Sequence, residues 1–355
     1  MRMIISKKYT NKNFWKNKSI LITGVNGFIG CNLVNHFLSV GANIIGISNN
    51  NNKNIALKYN NTLSRIKYYN ISLIDKFKLK EIISKNKIEF CYHLAAQVDV
   101  TLARHDPFET FESNIRGTYN LLELLRNSKS IKSIVVASSD KAYGEYPFAK
   151  LPYKENYDLR PIYPYDVSKA CGDLISKCYS SKIYGLPIIT TRFSNIYGPG
   201  QLNFSALIPD CILAILNIKK FIPRSNGKNK RDYLFVDDVC DLYLCLGYNL
   251  YKDRSLSGEV FNAGTGKGYS VNEIVKTLCK ISNNKKLYEN IKNKFQNSRT
   301  IGEIKNQFMS YSKLKKYFGW TPSYKMNEGL DITLNWYRKI FENNTTNKEL
   351  RKLIK

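Results

Sequence analysis

Tyr165 and Lys169 stand four residues apart in "YPYDVSKACGDL", a spacing that on a helix sets both side chains on one face, one turn apart. A phenol with an ordinary pKa near ~10 is a poor base at neutral pH, and a neighbouring ammonium favours its phenolate. Such a pair can take a proton from a hydroxyl while hydride leaves the same carbon. A second group of reactive side chains closes the apolar run "SIVVAS": Ser138, Ser139, Asp140 and Lys141 precede a Tyr-Gly turn. A buried strand has no use for a carboxylate and an ammonium side by side, so their placement points to chemistry at the strand's end.

The elements that must position these groups read as an alternation of short apolar runs and longer helical patterns. That alternation is the mark of a parallel sheet with crossover helices. Strands are predicted at 19–24, 43–48, 89–96, 133–138 and 187–193, and helices at 28–40, 75–86, 109–127 and 164–182. Pro164 suits a first helical turn, where its missing N–H would be unpaired anyway. Beyond Phe193 helices are expected at 205–218, 270–281 and 327–341, with a strand-to-helix segment from Tyr233 and a further strand in "GEVFNAGTG". The fold class is α/β, a Rossmann-type doubly wound parallel sheet with a smaller C-terminal α/β substrate lobe. The first domain is expected over 18–195, with 231–264 returning to it. The lobe takes 196–230 and 265–341, and 342–355 reads as a polar, frayed tail.

"TGVNGFIG" follows the first strand and opens a helix, with Gly24, Gly27 and Gly30 in GxxGxxG spacing. In a dinucleotide loop the first glycine permits the tight turn, the second lets backbone approach the pyrophosphate, and the third lets helix and strand pack closely. The helix start, Phe28 and Ile29, offers free N–H groups to the anion. At the end of the second strand Ser48 and Asn49 can hydrogen-bond a ribose but carry no charge, and no Arg is present to greet a 2′-phosphate. This favours NAD, with NADP the alternative. Asn70 and Ile71, after a third strand, are placed to read an adenine edge, or Asn70 caps a loop.

Composition narrows the classes. At 355 residues and 43% hydrophobic, the chain can bury a large core. No apolar run approaches the ~20 residues that span a bilayer, and the basic N-terminus lacks the ~7–15-residue apolar stretch of a secretory signal; a cytoplasmic location is the expectation. Eight scattered cysteines form no CxxC pair and have only three histidines for company, which disfavours zinc sites and disulfides. The net charge of +27 invites a nucleic-acid partner. Lys is spread through an Lys- and Asn-rich chain, however, and a compositional bias that also attracts anionic small substrates accounts for it better.

From "FWKNKSILITGVNGFIG" through "HLAAQ", "SNIRGTYNLLELL", "SSDKAYG", "YPYDVSK", "RFSNIYGPGQ" and "RDYLFVDDV" to "FNAGTG", the chain resembles an extended short-chain dehydrogenase/reductase of the nucleotide-sugar epimerase and dehydratase type. The resemblance covers most of 14–340. It implies a hydride-transfer set of Ser139, Tyr165 and Lys169, and cofactor contacts from Ala95, Ala96, Tyr165 and Lys169. It also implies substrate contacts from Gln97, Arg104 and Asn195, with Arg231 gripping the diphosphate as a guanidinium fork and Arg299 reaching the nucleotide. Lys228 and Lys230 read as solvated, and His105 as surface. Relatives pair helices like 109–127 and 164–182 into homodimers.

Within this superfamily an acid at the position of Asp140 marks 4,6-dehydratases, which must expel a hydroxyl from C6. Most then place Glu; the Lys141 here, like the "FWKNK" opening, resembles the CDP-glucose 4,6-dehydratase branch. In the expected reaction Tyr165 takes the C4 hydroxyl proton as hydride passes to NAD, giving a 4-keto sugar with an acidic C5–H. Asp140, kept partly neutral in a dry pocket, protonates the departing C6 hydroxyl, and hydride returns to C6. Lys141 is the C5 base if its pKa is depressed, an enolate or Asp140 partner if charged, or one half of an ion pair closing the turn; Glu145 is a further candidate base. A 4-epimerase or decarboxylase is the second reading. A non-catalytic RNA-binding or scaffold protein is the third, and the intact Ser139, Tyr165 and Lys169 argue against it.

Overall fold

The computed structural model describes residues 12–49, 55–295, 304–342 and 344–354. The chain divides into two compact units, the first comprising Met1–Gly144, Glu155–Phe193 and Val239–Asn262, the second Glu145–Lys154, Ser194–Asp238 and Ala263–Lys355. The segment returning to the first unit is thus shorter than the 231–264 read from sequence, and 145–154 belongs with the second.

Through the first unit the chain runs α1 (Lys12–Trp15), β1 (Ser19–Thr23), α2 (Phe28–Ser39), β2 (Asn43–Ser48), α3 (Ile55–Tyr59), β3 (Lys67–Asn70), α4 (Lys76–Lys85) and β4 (Phe90–His93). It continues through α5 (Val100–His105), α6 (Pro107–Phe111), α7 (Gly117–Arg126), β5 (Ser133–Ala137), α8 (Pro164–Ser180) and β6 (Ile188–Phe193). Then come β7 (Asn195–Tyr197), α9 (Leu207–Ile215), β8 (Lys230–Arg231), β9 (Tyr233–Phe235), α10 (Val236–Lys252) and β10 (Val260–Ala263). The remainder is β11 (Tyr269–Ser270), α11 (Val271–Ile281), α12 (Lys285–Lys292), β12 (Asn306–Gln307), α13 (Ser312–Phe318), α14 (Met326–Glu342) and α15 (Asn344–Ile354).

The central sheet has seven strands in the order β10-β6-β5-β4-β1-β2-β3, and the pairings from β3 through to β6 are parallel. Strand order reverses between β1 and β4, the point at which open α/β sheets leave a crevice beyond the strands' carboxyl ends. Both faces of the sheet are covered, which is why its strands are apolar throughout. On one side Leu79, Ile82 and Ile83 of α4 and Leu121, Leu122 and Leu125 of α7 pack with Leu21, Cys91 and Ile134. On the other, Phe37 of α2 and Tyr243 of α10 meet the Tyr92 ring at centroid distances of 5.0 and 6.0 Å.

Two departures from the sequence reading have clear physical causes. The helix predicted at 109–127 is three pieces: α6, a π-helical turn over Glu112–Arg116, and α7. Asp106 begins α6 by accepting the Glu109 N–H at 2.9 Å, with Pro107 in its first turn. The apolar period runs on through the π turn, so periodicity alone hides it. The tail read as frayed is α15, and Leu350 on it is fully buried; one well-placed leucine anchors a helix whose composition is otherwise polar.

The second unit carries a three-stranded sheet, β11-β8-β12, and the pair β7-β9. Its α11 starts on a capping box, Ser270 accepting from Glu273 N–H and Glu273 from Ser270 N–H, satisfying two donors that a helix start leaves free.

Candidate active site

The glycine loop sits at the sheet's reversal point. Gly24 has φ +73°, and a Cβ there would lie 2.8 Å from the Cα of Ala95, so only glycine allows the loop and the β4 exit to touch. A Cβ on Gly30 would strike the Gly24 carbonyl, so the third glycine closes helix on turn, as the motif's spacing predicts. Gly27 ends the loop as the α2 N-cap with no side chain bonded to the helix start. The N–H groups of Phe28 and Ile29 therefore face outward for an anion. At the neighbouring strand ends Ser48 and Asn70 are register partners, and Ile71 N–H donates to the Ser48 carbonyl at 3.0 Å. A glycine cradle, an open helix start and uncharged ribose-side groups fit a dinucleotide.

At the end of β5, Ser139 caps a 3-10 turn over Asp140–Tyr143. Its hydroxyl donates to Asp140 Oδ1 at 3.0 Å and accepts the Lys141 N–H at 3.3 Å. The turn closes on Gly144, φ +70°, against the Arg160 carbonyl. Asp140 is 3% exposed. From α8, which packs on this turn, Tyr165 comes near enough to Ser139 and Asp140 to feel both. The turn of Ser139 and Asp140 thus packs on the helix that carries Tyr165 and Lys169.

The electrostatics differ from expectation. Burial raises the Tyr165 phenol, Asp140 and Asp166 push the same way, and only Ser139 opposes them. Lys169, expected to lower it, donates to the Ala137 carbonyl at 2.7 Å. Burial brings this ammonium down to about 8, against the pull of Asp173. Forming a tyrosinate thus needs more positive charge than the chain brings to it here. Lys169, Ala95, Ala96, Ala137 and Asn114 line one small crevice.

Three features escaped the sequence reading. Asp166, 4% exposed, feels the charges of Lys141, Asp140 and Arg104, and burial raises its carboxyl to about 6. His93, pushed down to about 3 by burial, is neutral. Thr118 spends its proton on the Asn114 carbonyl at 2.6 Å, so His93 Nε2–H donates to Thr118 and Nδ1 accepts from Thr23, both at 2.8 Å. Asn114 continues the chain to the Gln97 backbone and, at 2.9 Å, to Ser168, whose hydroxyl donates to the Tyr165 carbonyl at 2.7 Å. A directed network so joins the strand before the glycine loop to the helix of Tyr165. Third, Arg192, inside β6, forks onto Asp173 at 2.7 and 3.1 Å and donates to Tyr143 Oη at 2.8 Å. An arginine inside an apolar strand was the signal available for it.

The other predicted residues are placed as follows. The Gln97 side-chain amide donates to the Asp99 carbonyl at 2.9 Å. Arg104 is exposed and stacks over the Tyr163 ring at 5.5 Å; His105, Glu145, Lys228 and Lys230 are exposed. In the second unit Asn195 opens β7, half-buried. Arg231 is buried, its Nη1 donating to the Lys230 and Lys305 carbonyls at 2.9 and 3.1 Å, so that part of the fork holds the chain together. Arg299 lies outside the described residues. Among the described residues no cluster of His, Cys, Asp and Glu could hold a metal ion, and no helix is long and apolar enough to cross a membrane.

Known proteins share this architecture. The family model for GDP-mannose 4,6 dehydratase matches residues 21–333. The trifunctional UDP-glucose 4,6-dehydratase/UDP-4-keto-6-deoxy-D-glucose 3,5-epimerase/UDP-4-keto-L-rhamnose-reductase of Arabidopsis thaliana is 30% identical over 90% of this chain, which spans about half of that protein, 47%. UDP-glucuronate 4-epimerase of Thermodesulfobacterium geofontis is 31% identical over 91% of this chain and 97% of its own. The crystal structure of dTDP-glucose 4,6-dehydratase from Bacillus anthracis in complex with NAD superposes with a TM-score of 0.78 at 28% identity, covering 92% of this chain and 98% of that one. A family match running from within β1 to within α14 leaves little of the fold outside it: the chain belongs to the GDP-mannose 4,6-dehydratase family, among the nucleotide-sugar epimerases and dehydratases of the extended short-chain dehydrogenase/reductase type.

Proposed function

We propose that this protein is an NAD-dependent nucleotide-sugar 4,6-dehydratase, with CDP-glucose the favoured substrate and the NDP-4-keto-6-deoxyhexose its product. The observation that carries the reading is Asp140: a buried carboxyl, hydrogen-bonded by Ser139, on a turn that packs against the helix of Tyr165 and Lys169. An epimerase, which expels nothing, has no use for an acid there. The preference for CDP-glucose rests on the Ser-Ser-Asp-Lys sequence. NAD, with which the Bacillus anthracis relative was crystallised, would be held by the glycine cradle and would supply reversible hydride acceptance and a positive charge.

The chain's own groups then divide the proton work. Tyr165, steadied by Ser139, receives the C4 hydroxyl proton. Lys169 is assigned to the cofactor, its ammonium hydrogen-bonded to the Ala137 carbonyl. The 4-ketone acidifies C5–H, and Asp140 gives its proton to the departing C6 oxygen, a transfer worth about 10²–10⁴-fold in rate. Arg231 and Arg299 are assigned to the diphosphate and nucleotide, Gln97, Arg104 and Asn195 to the sugar. The reading includes a cytoplasmic homodimer formed through α7 and α8, supported by the exposed Tyr119 and Leu174 on those helices.

The second reading, a 4-epimerase or decarboxylase, draws on the UDP-glucuronate 4-epimerase relative. Incubating the protein with CDP-, UDP-, dTDP- and GDP-hexoses decides between them. The dehydratase predicts a product lighter by ~18 Da with alkali-developed absorbance near ~320 nm. An epimer of unchanged mass from every sugar would overturn it.

A further inference from the structure

An acid transfers its proton only at near-contact distance, and a misplacement of ~1 Å costs about 10²-fold in rate. Asp140 stands on a four-residue 3-10 turn that closes on two backbone hydrogen bonds. Ala142 N–H donates to the Ser139 carbonyl at 3.2 Å and Gly144 N–H to the Lys141 carbonyl at 3.0 Å. Hydrogen-bond geometry in so short a turn is poor, so its ties to neighbouring elements decide where Asp140 stands. We propose that Arg192 and Tyr143 are positioning residues for the elimination, fastening the far end of the Asp140 turn to the helix of Tyr165 and Lys169. The inference rests on the dehydratase reading above, in which Asp140 is the acid.

The near end of the turn is tied at Lys169. Its ammonium donates to the Ala137 carbonyl at 2.7 Å, and the Ser138 hydroxyl donates to the Lys169 carbonyl at 3.3 Å. The far end is tied through Arg192. Tyr143, the last residue of the turn and fully buried, accepts from Arg192 Nη1 at 2.8 Å, with the guanidinium 4.8 Å from the centre of its ring. The other two nitrogens, Nε and Nη2, donate to Asp173 at 2.7 and 3.1 Å. Asp173 follows Lys169 by one helical turn, as Lys169 follows Tyr165, so the three side chains share a face of α8.

The chain from Ala137 to Tyr143 is thus fixed to α8 at both ends, with Asp140 between the two ties. A guanidinium suits the second tie because it is planar and its donors stand at fixed angles, so one group sets both the distance and the direction from Asp173 to Tyr143. Tyr143 passes its own proton to Asn262 Oδ1 at 2.8 Å, which leaves its oxygen to accept from the arginine. An ion pair serving the fold alone would need only Arg192 and Asp173. The Tyr143 hydroxyl is what extends it to the turn.

The test uses the full-length protein loaded with NAD, in single turnovers with the nucleotide sugar that the wild type converts. Tyr143→Phe keeps the ring and the Arg192–Asp173 fork, and Nη1 retains the Glu155 carbonyl at 3.4 Å. The variant is predicted to slow water loss at least ~10-fold. C4 oxidation, read at about 340 nm, should stay within about threefold, so that reduced cofactor accumulates. Loss of folded protein would lower both rates together, so a ratio of water loss to oxidation within about twofold of the wild type's would overturn the assignment and leave the dehydratase standing. Wild-type protein that removes water from no nucleotide sugar would overturn the dehydratase reading and this inference with it. If Tyr143→Phe does not fold, Arg192→Lys decides by the same ratio, since an ammonium keeps the charge opposite Asp173 but has no fork to reach Tyr143 as well. A lowered ratio supports the positioning role, and an unchanged one contradicts it.

Discussion

Asp173 and Asp166 stand about two turns apart on α8, equally buried, in opposite company. Asp173 takes both prongs of the Arg192 guanidinium, whose remaining nitrogen meets Tyr143, and Tyr143 passes its proton on to Asn262 at 2.8 Å. Every member of that group has a directed partner. Asp166 has charges near it, two of them attractive and one repulsive, and its carboxyl rises where a forked arginine would have lowered it. A buried carboxylate that is fully paired holds a fold together; one left under-compensated costs stability while it is ionised.

Breaking the paired cluster should have the largest effect on stability. Arg192→Met strands the Asp173 charge and is expected to cost about 3–5 kcal/mol, whereas Arg192→Met with Asp173→Leu should cost less than that single change. Urea denaturation of the two proteins checks this; equal losses would show that packing, not the pairing, is what Arg192 contributes.

Asp166 should behave in the reverse sense. Its folded pKa, about 6, lies above the ordinary 3.8, so between these values the folded state binds more protons than the unfolded, and stability rises as pH falls from 6 towards 4. Asp166→Asn is therefore expected to stabilise the protein at pH 7 by up to about 3 kcal/mol, with the gain shrinking by pH 4. Thermal melts at the two pH values read it directly. A destabilised variant at pH 7 would place Asp166 with Asp173 as a structural anchor.

Lys169 lies between the clusters and sharpens the comparison by a smaller effect. With its ammonium at about 8, kcat/KM should fall as pH rises through about 8. In Lys169→Arg, whatever activity remains should lose that limb, since a guanidinium keeps its charge above pH 12. An unchanged alkaline limb would assign it to another group.

How much of this was legible depends on the distance over which each signal acts. The Gly24–Gly30 loop and the Tyr165–Lys169 pair are local spacings within one turn or one helix, and sequence carries them whole. So are the strands, because a sheet covered on both faces demands continuous apolar runs. The Asp140–Lys141–Asp166 group is not local: it exists because a 3-10 turn after β5 packs on the start of α8, and Asp166 in isolation looks like an ordinary acid in a first helical turn. The same holds for Lys169, whose predicted partner was the tyrosine one turn before it and whose actual acceptor, the Ala137 carbonyl, comes from the neighbouring strand. The π turn at 112–116 is hidden for another reason: the apolar spacing runs through it unbroken, and the one residue it buries is Asn114, part of the network around His93.

The account's central claim is that Asp140 makes this site a dehydratase, and one variant tests it most directly. Asp140→Asn keeps the side chain's shape but has no acidic proton to give. Mixed in a single turnover with the nucleotide sugar that the wild type converts, it should show C4 oxidation at about 340 nm that persists, with the ~18 Da loss slowed by about 10²–10⁴-fold. Water loss within about threefold of the wild-type rate would contradict the claim and move the C6 acid elsewhere in the site.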